Sequence, residues 1–150
     1  MSELGYHGLL SDHLDQAMLA DELTIVLRET VFSSNLRVSP RRITEIGKQF
    51  ASVFFDYCDH ADDPTVQAYG QQLADNGLGP RSVLQVSGAL QRICTERSNS
   101  LRDLPFVAST FICNLLEGYI LAREKRLLED QERTRRAELA TFGHQHTAAV

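Results

Sequence analysis

Apolar residues recur along this chain at helical spacing, and no segment keeps the two-residue alternation of a strand. Ile43, Ile46, Phe50, Val53, Phe54 and Tyr57 follow one another at intervals that fall on one side of an α-helix. Ser39-Pro40 precedes them as N-cap and first helical residue. The serine oxygen accepts an orphan N–H there, and proline has no N–H to lose. The spacing predicts a helix ending near Cys58–His60, with Gly47 on its packed side, where the missing side chain lets another helix come close. Asp63-Pro64 repeats the start signal. Val66, Tyr69, Gly70 and Leu73 then mark one face, and Asn76-Gly77 supplies a left-handed stop. From Pro80 a further helix is expected, with Val83, Leu84, Ser87, Leu90, Ile93 and Cys94 on one side. A polar break over 97–102 ends it. Near the N-terminus Leu10, Leu14, Met18, Leu23, Val26, Leu27 and Val31 predict a helix from about 17 to 32, with room for a shorter one before it. The loop Ser33-Ser34-Asn35 follows.

The last predicted helix, Asp103 to about Glu138, changes character along its length. Asp103 caps it, and Pro105 is tolerated in the first turn. It begins apolar through Phe106, Val107, Phe111, Ile112, Leu115, Leu116, Tyr119 and Ile120, then becomes R-E-K-R-L-L-E-D-Q-E-R-T-R-R-A-E. Glu129–Arg133 and Glu132–Arg136 are i,i+4 pairs with the acid first, and Arg126–Asp130 is a reversed pair. Each contributes a few tenths of a kcal/mol. Residues 129–136 contain no apolar side chain, whereas a helix lying on its own core needs a continuous stripe. A charged surface helix is the plain alternative. A parallel dimeric stalk, or a linker into a domain outside this chain, fits the pattern better. Ile120 and Leu127 are one heptad apart, as are Leu121 and Leu128, but the next positions are Thr134 and Arg135. The coiled coil this encodes is short and weak.

These elements make an all-α protein of five or six helices, in globin-like or helical-bundle packing, with a long C-terminal helix leaving the domain. The expected organisation is a helical domain over 1–122, a charged outgoing helix over 123–142 and a disordered tail over 143–150. At 150 residues the chain is one domain's worth and buries a core without disulfides. Net charge is −5, yet residues 123–138 hold six Lys/Arg against five Asp/Glu, which leaves the remainder at −6. An acidic body argues against nucleic acid as a partner. The opening M-S-E-L-G-Y-H-G-L-L lacks the basic start and apolar core of a signal peptide, and no run of apolar residues suggests a membrane span. The reading is cytoplasmic, with no membrane partner.

Candidate chemistry is sparse. No GxSxG, P-loop, GxGxxG or HExxH motif occurs. His144 and His146 make an incomplete metal site, and no metal or cofactor is expected. Asp59, Asp62 and Asp63 cluster between two helices, but capping accounts for Asp63 and solvation for the others. Cys58, Cys94 and Cys113 match no zinc spacing, and Cys94 and Cys113 sit on apolar helical faces, as small core residues do. Phe50, Phe54, Tyr57, Phe111 and Tyr119 are candidates to line an apolar pocket, and equally to fill the core. Nothing points to an enzyme.

The stretch 43–57, then V-Q-A-Y-G-Q-Q-L-A-D-N-G-L-G-P-R-S-V-L (66–84), then a helix running into L-L-E-D-Q-E-R-T-R-R-A (127–137), resembles the N-terminal sensor domains of RsbR-type regulators and related bacterial histidine kinases. RsbR-type proteins are stressosome components and anti-sigma-factor antagonists. The resemblance covers roughly residues 40–138 and rests on helix order and local texture. It implies a helical, often globin-like and haem-free domain that dimerises. Its last helix would continue into a STAS or kinase-type output domain or partner. The helix expected over 80–97 has no histidine to serve as a proximal haem ligand, and His60 lies at a helix end. The implied function is a signalling input domain that passes a packing change through its C-terminal helix. The alternatives are a non-signalling interaction or scaffold protein and, further off, a haem or redox sensor. Leu116, Ile120, Leu127 and Leu128 are the residues expected to form the dimer or output seam.

Overall fold

The computed structural model describes residues 14–33, 39–97 and 103–148. Over these residues the protein is all-α, with no strand among them: α1 (Gln16–Ser33), α2 (Pro40–His60), α3 (Asp63–Asp75), α4 (Pro80–Glu96) and α5 (Leu104–Ala148). The shorter helix considered before residue 14 and most of the polar break after Arg97 lie outside the described residues.

Helix starts and stops follow the local chemistry. Ser39 caps α2, its Oγ accepting from the Arg42 N–H at 3.2 Å. Helix α3 ends in a Schellman motif. Leu78 N–H bonds the Leu73 carbonyl at 3.1 Å, Gly77 N–H bonds Ala74 at 3.0 Å, and Gly77 takes φ 83°. Helix α2 stops differently: Ala61 adopts φ 49° and ψ 42°, a left-handed turn that a Cβ makes costly.

The core gathers Leu19, Leu23 and Leu27 from α1 with Phe50 and Phe54 from α2, Leu73 from α3, Val83 and Leu90 from α4, and Phe111 and Leu115 from α5. Helix α1 packs on α2 and α4, and α3 lies along α5. Gly47 admits the α1–α2 contact, because a Cβ there would run into the Thr24 hydroxyl. Arg97 ties the end of α4 to Glu22 of α1 at 2.7 Å.

Three sequence expectations shift at residue level. Met18 and Leu84 are 45% and 58% exposed, because each lies just off the buried arc that Leu19 and Val83 occupy. Cys113 is exposed rather than core. Helix α5 does not fray at Gly143 but runs to Ala148. A single glycine costs a helix only about 1 kcal/mol, too little by itself to end one.

Helix α5 is also long and apolar enough to cross a membrane by length and composition, with an 18-residue window of mean hydropathy 1.5. This departs from the expectation of no span. Ser109, Thr110, Asn114 and Glu117 interrupt the apolar run, so it holds no long unbroken apolar stretch. A helix that buries one face in a core carries the same composition.

Candidate functional site

The outgoing helix is fastened to the domain through α3, and the fastening begins with two glycines. A Cβ on Gly118 would strike the Gln67 carbonyl oxygen, with the Gln67 Cα only 2.9 Å away. A Cβ on Gly70 would strike the Leu115 carbonyl oxygen, with the Tyr119 nitrogen at 2.9 Å. Helices α3 and α5 therefore touch backbone to backbone.

Polar bonds close the contact at both ends of α3. At its start, the Asp63 carboxylate accepts from the Tyr57 hydroxyl at 2.8 Å and from Asn114 Nδ2 at 3.1 Å. Gln67 Nε2 donates to Asn114 Oδ1 at 3.0 Å. Asn114 also donates to the Thr110 carbonyl, so both sides of its amide are used. Burial, reinforced by the bond to Asp63 and its negative charge, pushes the Tyr57 hydroxyl from 10.0 up to about 12. At the far end Tyr119 donates its hydroxyl proton to the Leu78 carbonyl just beyond α3. Burial raises the Tyr119 pKa, while Arg123, 3.4 Å from its oxygen, opposes the shift. Arg126 then donates to the Ala74 carbonyl at 2.8 Å and the Asp75 carbonyl at 3.0 Å. Those are last-turn carbonyls of α3, where a cation also meets the negative end of the helix dipole.

This geometry corrects three expectations. Asp63 is not the N-cap of α3; Asp62 holds that position, accepting from the Thr65 hydroxyl at 2.7 Å. The Asp63 carboxylate instead joins three helices. Arg126 does not pair with Asp130 along its own helix, because two main-chain carbonyls offer it a fixed bidentate site. Beyond it, Arg136–Glu132 forms at 3.2 Å as expected, while Arg133 approaches Asp130 at 4.0 Å instead of Glu129. These pairs are exposed and contribute little.

The five aromatics considered for a pocket are packed. The Phe111 ring centre lies 5.7 Å from Phe50, 5.2 Å from Phe54 and 5.6 Å from Tyr57, mostly edge to face. Tyr119 stands apart at the Leu78 carbonyl. Tyr57 also borders a cleft of about 210 Å³ between the end of α2 and the start of α3. An apolar stripe at helical spacing has become core here, filled by ring against ring.

The four seam candidates divide. Leu116 is half-buried against the core, whereas Ile120, Leu127 and Leu128 are 50%, 52% and 66% exposed. Every side chain described from 123 to 143 is exposed. Sequence reasoning missed Gln67, Asn114, Gly118 and Arg126. Gly118, inside an otherwise unbroken helical run, carried a signal of close approach. The others did not, since their partners lie about fifty positions away.

Cys58 and Cys94 are buried, and burial pushes both thiols up, Cys94 from 9.0 to about 12. Neither is a ready thiolate. Among the described residues no three His, Cys, Asp or Glu side chains converge as metal ligands. Comparison with family models, curated proteins and solved structures returns no match.

Proposed function

We propose that this chain is a cytoplasmic signalling input domain of the kind its sequence resembles, acting as a homodimer. A change in packing around α3 would move α5 relative to its dimer mate, and α5 would carry that movement to an output domain or partner. The observation that supports this reading is the continuity of α5. The same helix is clasped to α3 at Asn114, Gly118, Tyr119 and Arg126, and then extends with every described side chain in solvent. A displacement of α3 thus has a rigid path outward. It becomes a switch only if a ligand or partner binds two arrangements of that contact with different affinity.

The test places a nitroxide at Thr141→Cys in a Cys113→Ser background and measures the distance between dimer mates. Asn114→Ala, which opens the clasp at the start of α3, should shift or broaden that distance. An unchanged distribution would overturn the signalling reading and favour a scaffold that uses α5 only as a docking arm. The seam has its own check: Ile120→Asp should sediment as monomer, and a persistent dimer would move the seam elsewhere.

A further inference from the structure

The cleft of about 210 Å³ at the elbow between α2 and α3 is built as a small binding site. Half-buried Val53 and buried Tyr57 and Val66 lie at its inner side, and most of its surface is apolar. An apolar cavity of about 150 Å³ holds benzene, so this one suits a slightly larger body, such as a phenyl ring on a short chain. Only Ala61 and Asp62 separate the two helices. Ala61 is left-handed at φ 49°, and its N–H bonds the Tyr57 carbonyl at 2.7 Å. A link this short and this fixed sets the angle between the walls before any ligand arrives, which lowers the ordering cost of binding.

The rim decides what enters. Exposed Asp56 and Asp62 line it, and no Lys or Arg does. Asp62 occupies the N-cap position of α3, yet its carboxylate makes no cap bond to that helix. One of its oxygens accepts from the hydroxyl of Thr65, which also lines the cleft, at 2.7 Å. Neither Asp56 nor Asp62 has an ion-pair partner among the described residues. A neutral body seated here would cover two carboxylates without replacing their water, and an anion would be repelled. A divalent metal finds no set of three ligating side chains among the described residues. An ammonium group on an apolar body satisfies both the rim and the inner wall. His60, one turn beyond Asp56, lines the same cleft, and its imidazole, when neutral, accepts a further ammonium hydrogen bond.

Deepening the signalling reading above, on which its consequence rests, we infer that this cleft is the domain's input site and takes a small organic amine in its protonated form. The ammonium sits between Asp56 and Asp62, and the apolar body lies against Val53, Tyr57 and Val66. The site bears directly on the outgoing helix. The Tyr57 hydroxyl donates to Asp63 at 2.8 Å, and the same carboxylate accepts from Asn114 of α5 at 3.1 Å. A body wedged against Tyr57 therefore presses on the clasp.

The test titrates phenethylamine into the intact chain and follows backbone amide signals by NMR. Signals over 53–66 should shift saturably, whereas those over 123–142, which also carry exposed carboxylates, should not. Asp56→Asn together with Asp62→Asn, both isosteric, should weaken binding about tenfold. Phenylalanine, which adds a carboxylate beside the amine, should bind more weakly by about the same factor. No shift at about 10 mM, shifts spread evenly over the acidic surface, equal binding of phenylalanine, or undiminished affinity in the double variant would overturn the site. Saturating phenethylamine should also alter the Thr141→Cys nitroxide distance, as Asn114→Ala does. An amine seated in the cleft that leaves that distance unchanged, while Asn114→Ala alters it, would overturn the cleft as the input and keep the signalling reading. A distance unmoved by either would remove the signalling reading and keep the amine site, so the two fail separately.

Discussion

Two glycines on one helix have opposite surroundings. A Cβ on Gly118 would strike the backbone of Gln67, whereas one on Gly143 would meet nothing within 4 Å. Between them α5 passes from a domain helix to an outgoing arm, and Arg126 marks the change. Up to it, one face is buried and bonded to α3; past it, each side chain through Gly143 is exposed. The difference shows that helical continuity and membership of a folded core are separate properties. The first half is held by packing, the second by local propensity and exposed ion pairs along the helix.

The contrast is broken most severely at the core. Phe111→Ala should lower stability by about 3–5 kcal/mol, since it empties the point where three aromatic rings meet. Phe142→Ala, at a position 68% exposed, should leave denaturant unfolding of the domain within about 0.5 kcal/mol of wild type. The glycines come next. Gly118→Ala should destabilise by about 2 kcal/mol or more, because backbone must move, whereas Gly143→Ala should slightly increase helicity by circular dichroism. Equal effects at the two sites would erase the distinction between the halves.

Arginines give a smaller version of the same test. Arg126→Ala removes two bonds to α3 carbonyls and should cost about 1 kcal/mol, while Arg136→Ala should cost a few tenths at most. Ala61→Gly should stabilise by about 1 kcal/mol by relieving the left-handed turn at φ 49°. The alkaline limb of stability should also report on the domain half. Cys94 and Tyr57 have folded pKa values raised from 9.0 and 10.0 to about 12. Their protonated forms are favoured in the folded state, so this stability is complete below about pH 9 and is lost as pH climbs to 12. Tyr57→Phe should flatten the part that lies above pH 10. A stability profile level from pH 9 to 12 would contradict it.

Much of the fold was legible because its signals are local. Ser39-Pro40, Asp63-Pro64 and Asn76-Gly77 act within a few residues, and the helix boundaries follow them closely. The apolar-to-charged change along α5 likewise reflects burial at the same positions. The clasp was not legible. Asn114 to Asp63 and Arg126 to Ala74 span 51 and 52 positions. Sequence spacing offered Arg126 a nearer partner in Asp130, and only the approach of α3 shows why it turns away. The core also drew in the aromatics considered for a pocket, since periodicity places residues on a face without saying what fills the space before it.

Hydrogen exchange along α5, at a dilution where self-association is negligible, tests the central claim most directly. Amides over 107–122 should exchange only through global unfolding, and those over 127–142 by local fraying, at least a hundredfold faster, with the step near Arg126. Protection that continues level from 107 to 142 would place the second half within the domain and contradict the account.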